Sequence, residues 1–190
     1  MKKILKLLCM LFCLTCALLP VSAAHADFPE RPVAFVVIDH DGGVDGAIYK
    51  SWRQVVKWAY HFPYYQITDD GTAQRLVSEN INDGVKLDKA TLAAIAEKSN
   101  TDVVVVARIY ALDETMVSGW GWRFDNETYV RVEASADLFV YKKDGDKLLK
   151  KRVRERGLHE MANYDKPEET IKWQLSKLVN TMENRPIIGS

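Results

Sequence analysis

The chain has 190 residues, of which 47% are hydrophobic, and its 26 Lys and Arg balance its 26 Asp and Glu. This length and composition fit a folded protein of one domain with an apolar core. Because the charge is balanced, the chain as a whole has no electrostatic attraction to nucleic acid or anionic lipid, and we expect neither as a partner.

Residues 1–26 have the pattern of a cleavable secretory signal. Lys2, Lys3 and Lys6 precede an apolar stretch that is shorter, after Lys6, than the ~20 residues that span a bilayer. Ala24-His25-Ala26 then forms a cleavage site of the A-x-A type. We therefore predict export to the periplasm or out of the cell. Residues 27–190 would form a single exported domain without stable membrane insertion after cleavage.

Three cysteines, Cys9, Cys13 and Cys16, all lie in the signal segment. A lipid-modified cysteine that tethers the mature chain is the alternative to cleavage after Ala26. The residues before each cysteine favour cleavage after Ala26. If it occurs there, the mature chain has no thiol, and disulfides, Cys-ligated metals and a cysteine nucleophile are excluded. Without residues 1–26, which carry three lysines and no acidic residue, the formal charge is −3.

The exported domain begins with the pattern of a βα unit. Val33–Ile38 is an apolar run typical of a buried strand, and the acidic, glycine-rich stretch 39–46 ends it. Apolar residues then recur at helical spacing from Ile48 to Ala59, and Pro63 stops the pattern. A strand, a glycine loop and an amphipathic helix in this order predict the start of an α/β fold.

Two more helices lead to the strand around which the chain is organised. After a short strand at Tyr64–Thr68, apolar spacing predicts one helix over Ala73–Ile81 and another that begins at the N-cap Asp88. Asn100 suits the left-handed position that ends the second helix. Thr101–Leu112 then contains almost uninterrupted apolar residues, so we predict a central strand buried on both faces.

The second half changes from helical spacing to strict alternation. Along Tyr129–Tyr141 every second residue is apolar, which predicts one face toward the core and the other mostly toward water. Asp144-Gly145 predicts a hairpin turn, and Lys147–Glu155 returns as an edge strand rich in Lys and Arg. Asp165–Glu168 resembles the capped start of a last helix, which Arg185-Pro186 would end.

The predicted order is therefore β-α-β-α-α-β-β-β-α. It corresponds to an α/β fold with α+β character in its second half, in which the helices pack on a single mixed sheet.

The sequence also resembles a known family of domains. Leu87–Ala96 followed by Thr101–Val106, and Ala136–Tyr141 before Asp144-Gly145, are similar to the α/β domain of the TolB N-terminal, curli-secretion CsgG and penicillin-binding-protein activator LpoB type. The resemblance implies a domain that works in the bacterial envelope by contacting other proteins and that is not an enzyme. The lipid-bearing cysteine of the lipoprotein members and the pore-forming segments of the curli channel have no counterpart here.

The acidic loop contains three candidate cation ligands, Asp39, Asp41 and Asp45. They follow a buried strand, and α/β proteins often place ligands at the carboxyl ends of strands. A hard cation such as calcium or magnesium suits carboxylates, although the full D-x-D-x-D-G pattern and its distal Glu are absent. A turn in which Asp and Gly serve as caps is the alternative that the pattern favours.

A glycine-flanked aromatic stretch is the second candidate site. Trp120, Trp122, Arg123 and Phe124 could present an aromatic surface to a glycan, a peptide or a protein, or could instead cover the core beside an edge strand. In the following hairpin, Lys150 and Arg152 belong to a basic run that would attract an anionic partner, and a solvated edge strand explains this run equally well.

These patterns favour an exported, non-enzymatic domain that binds another envelope protein through Trp120–Phe124 and the basic hairpin. No cofactor is expected, and the oligomeric state stays open. The alternative is a domain, or an enzyme, that binds a small ligand or a divalent cation with the acidic loop. His40, His61 and His159 have no metal-binding spacing, and no catalytic motif is present.

Overall fold

The computed structural model describes residues 30–61, 63–69, 71–118 and 128–186. The strands are β1 (Arg31–Asp39), β2 (Tyr65–Thr68), β3 (Val103–Ser118), β4 (Thr128–Lys142) and β5 (Lys147–Glu160). The helices are α1 (Gly46–Ala59), α2 (Thr72–Asn82), α3 (Lys89–Lys98) and α4 (Pro167–Met182). Within these ranges, no helix is both long enough and apolar enough to cross a bilayer. The order of elements confirms the predicted β-α-β-α-α-β-β-β-α pattern.

All the strands belong to one mixed sheet with the order β2-β1-β3-β4-β5. β1 pairs in parallel with β2 and β3, whereas β3–β4 and β4–β5 are antiparallel. β3 lies in the middle of the sheet, and Val103–Val106 are fully buried in it. The prediction of a central strand buried on both faces is therefore confirmed for Val103–Ala107. It is wrong for the end of the predicted stretch, where Tyr110 is 36% exposed and Leu112 is only half-buried.

The sheet carries helices on both faces. Side chains of α1 and α4, among them Trp52 and Leu175, pack with Val103 and Val105 on one face. Side chains of α2 and α3, among them Val77 and Leu92, form a second cluster on the other face. Alternate residues of β3 enter different clusters, because successive side chains of a strand point to opposite faces.

The second face of β4 differs from the prediction. It was expected to lie mostly in water, yet Phe139 and Tyr141 are each 3% exposed, because they join the cluster under α2 and α3. From β3 and β4, this cluster contains only residues of the first part of β3 and the last part of β4. Toward Tyr129 the same face of the sheet continues past the cluster, and this continuation holds the candidate site described below.

Local signals explain several element boundaries. Asp88 accepts a hydrogen bond from the Thr91 N–H at 2.9 Å and so begins α3 as predicted. Asn100 has a φ of 50° after α3, and Gly145 has a φ of +78° in the β4–β5 turn. The start of α4 differs from the prediction, because its N-cap is Lys166, without a side-chain hydrogen bond, and Pro167 is its first residue.

Candidate functional site

The acidic loop that follows β1 is organised by its own carboxylates. Asp39 accepts hydrogen bonds from the N–H groups of Asp41, at 3.1 Å, and Val44, at 2.7 Å. Asp45 is the N-cap of α1 and accepts from the N–H groups of Ala47 and Ile48, both at 2.8 Å. Two of the three predicted cation ligands therefore already bind backbone groups, as expected for the capping alternative.

A cavity of about 570 Å³ lies beside this loop and is lined by Asp39, Asp45, Tyr49 and Gln74, among others. Gln74 occupies the edge of β1 here, because its amide donates to the Val37 carbonyl at 2.9 Å and accepts from the Val37 N–H at 3.3 Å. Asp41 is exposed. In the described part of the chain, no three His, Cys, Asp or Glu residues are grouped so that they could hold a metal ion.

The predicted aromatic site, Trp120, Trp122, Arg123 and Phe124, lies outside the described residues. The two basic residues predicted with it, Lys150 and Arg152, are on β5. Both of them contact Asp137 on β4, which sequence reasoning did not select.

Asp137 is the centre of a charged cluster on the sheet. It is only 4% exposed, and Arg152 lies opposite it in the β4–β5 register. Arg152 donates from Nε to Oδ1 at 2.9 Å and from Nη2 to Oδ2 at 3.4 Å. The Tyr110 hydroxyl donates to Oδ2 at 3.2 Å, and Lys150 Nζ lies 3.5 Å from the same oxygen. A buried carboxylate is thus fully compensated by two cations and a hydroxyl.

These contacts change the pKa values of the cluster. Burial disfavours the charged form of Asp137, but the hydrogen bond from Arg152 and the charge of Lys150 outweigh it and lower the pKa of Asp137. Burial, together with the nearby Asp137 charge, raises the pKa of the Tyr110 hydroxyl. Asp137 is therefore ionised and Tyr110 protonated at neutral pH.

The cluster extends toward the end of β1 through Arg108 and His40. Arg108 Nε donates to His40 Nε2 at 3.0 Å, and the guanidinium carbon of Arg108 lies 5.2 Å from the ring centre of Tyr110. The rings of His40 and Tyr110 are parallel, with centroids 5.7 Å apart. These contacts fix the positions of an arginine and a tyrosine that lie beyond the apolar cluster under α2 and α3.

Along β5 the same face of the sheet is basic. Every second residue is an exposed cation, which places four positive side chains in one row: Lys150, Arg152, Arg154 and Arg156. A groove of about 610 Å³ runs beside this row, and its lining includes Tyr110, Ser135 and Glu133. We call these residues together with Asp137 and Arg108 the open sheet face, because the groove is lined by residues of β3, β4 and β5 alone.

The charges of the open sheet face are only partly compensated. Asp137 binds Lys150 and Arg152, and Oε2 of Glu133 lies 3.7 Å from Nε of Arg156. Arg154 is exposed and has no ion pair among the described residues. The row therefore has a surplus of positive charge that is available to an anionic partner.

The turn at Asp144-Gly145 sets the β4–β5 register, and this register could have identified part of the open sheet face from the sequence. In the hairpin, each β4 residue faces the β5 residue at the same distance from the Asp144-Gly145 turn, which places Asp137 opposite Arg152. Counting outward from the turn would have found this pair. Arg108 and Tyr110 could not be found in this way, because an irregularity between Ile109 and Ala111 shifts the β3–β4 register.

No family model matches the chain, and no curated protein matches it. Among solved structures it is similar to a PelC dodecamer subunit from Paraburkholderia phytofirmans, with 8% identity and a TM-score of 0.41 over 82% of this chain and 90% of that one. Lipoprotein GNA1162 from Neisseria meningitidis has 12% identity and a TM-score of 0.35 over 81% of this chain and 99% of that one.

The LpoB C-terminal domain from Salmonella enterica is also similar, with 8% identity and a TM-score of 0.29 over 68% of this chain and 82% of that one. The similar structures thus include an LpoB domain and bacterial lipoproteins, whereas the resemblance to TolB and CsgG is not shown. At such low identities and TM-scores, these likenesses say nothing of function.

Proposed function

We propose that this chain is an exported domain that binds another protein of the bacterial envelope through the open sheet face and does not catalyse a reaction. The observation that carries the proposal is the row of exposed cations on β5, two of which are fixed by the buried carboxylate of Asp137. The signal pattern of residues 1–26 and the resemblance of the sequence to envelope domains agree with this role.

The exposure of the row suits a macromolecule. The side chains of Arg152 and Arg156 are 57% and 73% exposed, so their guanidinium groups can form bidentate hydrogen bonds with carboxylates of a partner. Tyr110 lies next to the row, and Tyr and Arg are the residue types that contribute most often to binding energy at protein interfaces.

Asp137 prepares this surface for binding. A free arginine side chain loses conformational entropy when a partner immobilises it. Because Asp137 already holds Arg152 and Lys150, part of that entropy is lost on folding and not on binding. The cluster around Asp137 therefore acts as a support for the cations that meet the partner.

Arg154 offers the sharpest test, because it is exposed and no described residue forms an ion pair with it. In Arg154→Glu the charge of the row changes while the contacts of Asp137 stay intact. Lys151→Glu is the matched control, since Lys151 is exposed on the same strand but faces Leu138, which belongs to the other face of the sheet. Both variants have the same net charge.

The tagged protein is incubated with an extract of its native cell envelope, and retained proteins are identified by mass spectrometry. We expect a partner that wild type and Lys151→Glu retain equally and that Arg154→Glu retains at least about fivefold less, as for the loss of one close charge pair. Equal retention by both variants would overturn the proposed surface. Absence of any specifically retained protein would overturn the binding role.

The aromatic stretch is the second part of this proposal. Trp120 and Trp122 lie in the connection between β3 and β4, the two strands that carry Tyr110 and Asp137. In the same assay, the combined variant Trp120→Ala and Trp122→Ala is expected to retain less of the partner. Undiminished retention would confine the surface to β3–β5.

A further inference from the structure

The outer edge of β5 is the place where the sheet can be extended. β5 has 14 residues and is the last strand in the order, and among the described residues it pairs with β4 alone. In an edge strand, half of the backbone N–H and C=O groups point away from the sheet and can pair with another chain. An edge of this length has room for an added strand.

The charge pattern of β5 decides which strand can be added. Two copies of β5 side by side would place the positive row 150–156 against an identical row, and like charges opposite each other destabilise a strand pair. A strand with Asp or Glu at alternate positions would instead place a negative charge near each cation. The row therefore disfavours self-association and favours an acidic strand.

The spacing of the four cations matches the spacing of alternate side chains in an acidic β-strand. Alternate residues of a strand are about 6.6–6.8 Å apart and point to the same side. Lys150, Arg152, Arg154 and Arg156 follow this spacing on one face, and so would alternate acidic residues of an adjacent strand.

We propose that the partner supplies an acidic extended segment, which pairs with the outer edge of β5 as a sixth strand and directs its carboxylates toward Lys150, Arg152, Arg154 and Arg156. This inference rests on the proposed function, because it specifies the partner of the open sheet face. Backbone hydrogen bonds would hold the segment, and the row of cations would select its sequence.

The test uses synthetic peptides and the purified protein. One peptide has nine residues with Glu at alternate positions and Thr or Val between them, and a second peptide of identical composition has its Glu residues grouped together. Two further versions of the alternating peptide are N-methylated, either at the Glu residues or at the residues between them. Methylation removes the backbone N–H groups along one edge and leaves the charge unchanged.

We expect the alternating peptide to bind about tenfold more tightly than the grouped peptide, since several cross-strand charge pairs are gained. At least one N-methylated version must lose binding, and the bound peptide must slow hydrogen exchange at amides of β5. Arg154→Glu must weaken binding, whereas Lys151→Glu must leave it largely unchanged.

Two outcomes overturn the inference. Equal binding of all four peptides shows that the row attracts negative charge without forming a strand, and failure of every peptide to bind excludes an acidic strand. If the envelope extract still provides a partner whose retention depends on Arg154, the proposed function stands and only the strand addition fails. If the extract provides no such partner, the proposed function fails, whatever the peptides show.

Discussion

Arg152 binds the buried carboxylate of Asp137 with two hydrogen bonds, from Nε at 2.9 Å and from Nη2 at 3.4 Å. The pair is asymmetric, because the side chain of Asp137 is buried and that of Arg152 is 57% exposed. Arg152 thus compensates a charge inside the sheet and still presents its guanidinium to solvent. The same side chain therefore contributes both to the stability of the sheet and to the positive charge of its surface.

Replacement of Asp137 by Asn should destabilise the fold. Asn has the same size, but it lacks the charge that holds Arg152 and Lys150, and these two cations then repel each other. We expect the free energy of unfolding to fall by about 1 kcal/mol, a value reduced by the solvent exposure of both cations. Chemical denaturation measures this change. Asp165→Asn, at an exposed position, should stay within about 0.5 kcal/mol of wild type.

The same pair predicts a pH dependence. The pKa of Asp137 is lower in the folded chain than in the unfolded chain, so on acidification the unfolded state binds its proton first. The stabilisation is complete above the unfolded pKa of about 3.9 and is lost as the pH falls through the folded pKa. The stability difference between wild type and Asp137→Asn should therefore shrink below about pH 4. If the difference in the free energy of unfolding stays constant down to about pH 2.5, this explanation is contradicted.

The fold could be predicted because its signals are local. The apolar run of β3, the cap at Asp88 and the turn at Gly145 each act over a few residues, and together they determine the order of elements. The burial of Phe139 and Tyr141 was missed, because alternation along one strand does not tell how far a helix on the opposite face extends over it.

The candidate site was predicted only in part. Lys150 and Arg152 were selected as members of a basic run, but their role depends on Asp137, Tyr110 and Arg108, which come from two other strands. Contacts across strands require the register, and the irregularity beside Tyr110 shifts the register of β3 against β4. Such a shift has no signature in a single sequence.

A second ion pair joins the end of β4 to the end of α4 and should contribute to stability. Lys142 Nζ donates to both carboxylate oxygens of Glu183 at 3.0 and 2.9 Å, and the two side chains are 16% and 10% exposed. Burial alone would lower the pKa of Lys142, but the hydrogen bonds to Glu183 and Tyr65 outweigh it and raise the pKa.

Glu183→Gln removes the negative partner and leaves the Lys142 ammonium mostly buried, so we expect a loss of about 2 kcal/mol in the free energy of unfolding. The double variant Lys142→Met and Glu183→Met replaces both charges by apolar groups. It should recover most of this loss, since a buried pair often stabilises no more than well-packed apolar residues. If Glu183→Gln and the double variant lose the same free energy of unfolding, the shape of these side chains and not the unpaired charge of Lys142 causes the loss.

The acidic loop yields a prediction that separates the two explanations of Asp39. Because Asp39 accepts the N–H groups of Asp41 and Val44, Asp39→Ala leaves both donors without this acceptor and should lower the free energy of unfolding by about 1 kcal/mol. If capping is the whole role of Asp39, millimolar calcium or magnesium should leave the Tm of wild type unchanged. A cation that binds only the folded state must raise the Tm. A rise in wild type that disappears in Asp39→Ala would therefore assign cation binding to this loop.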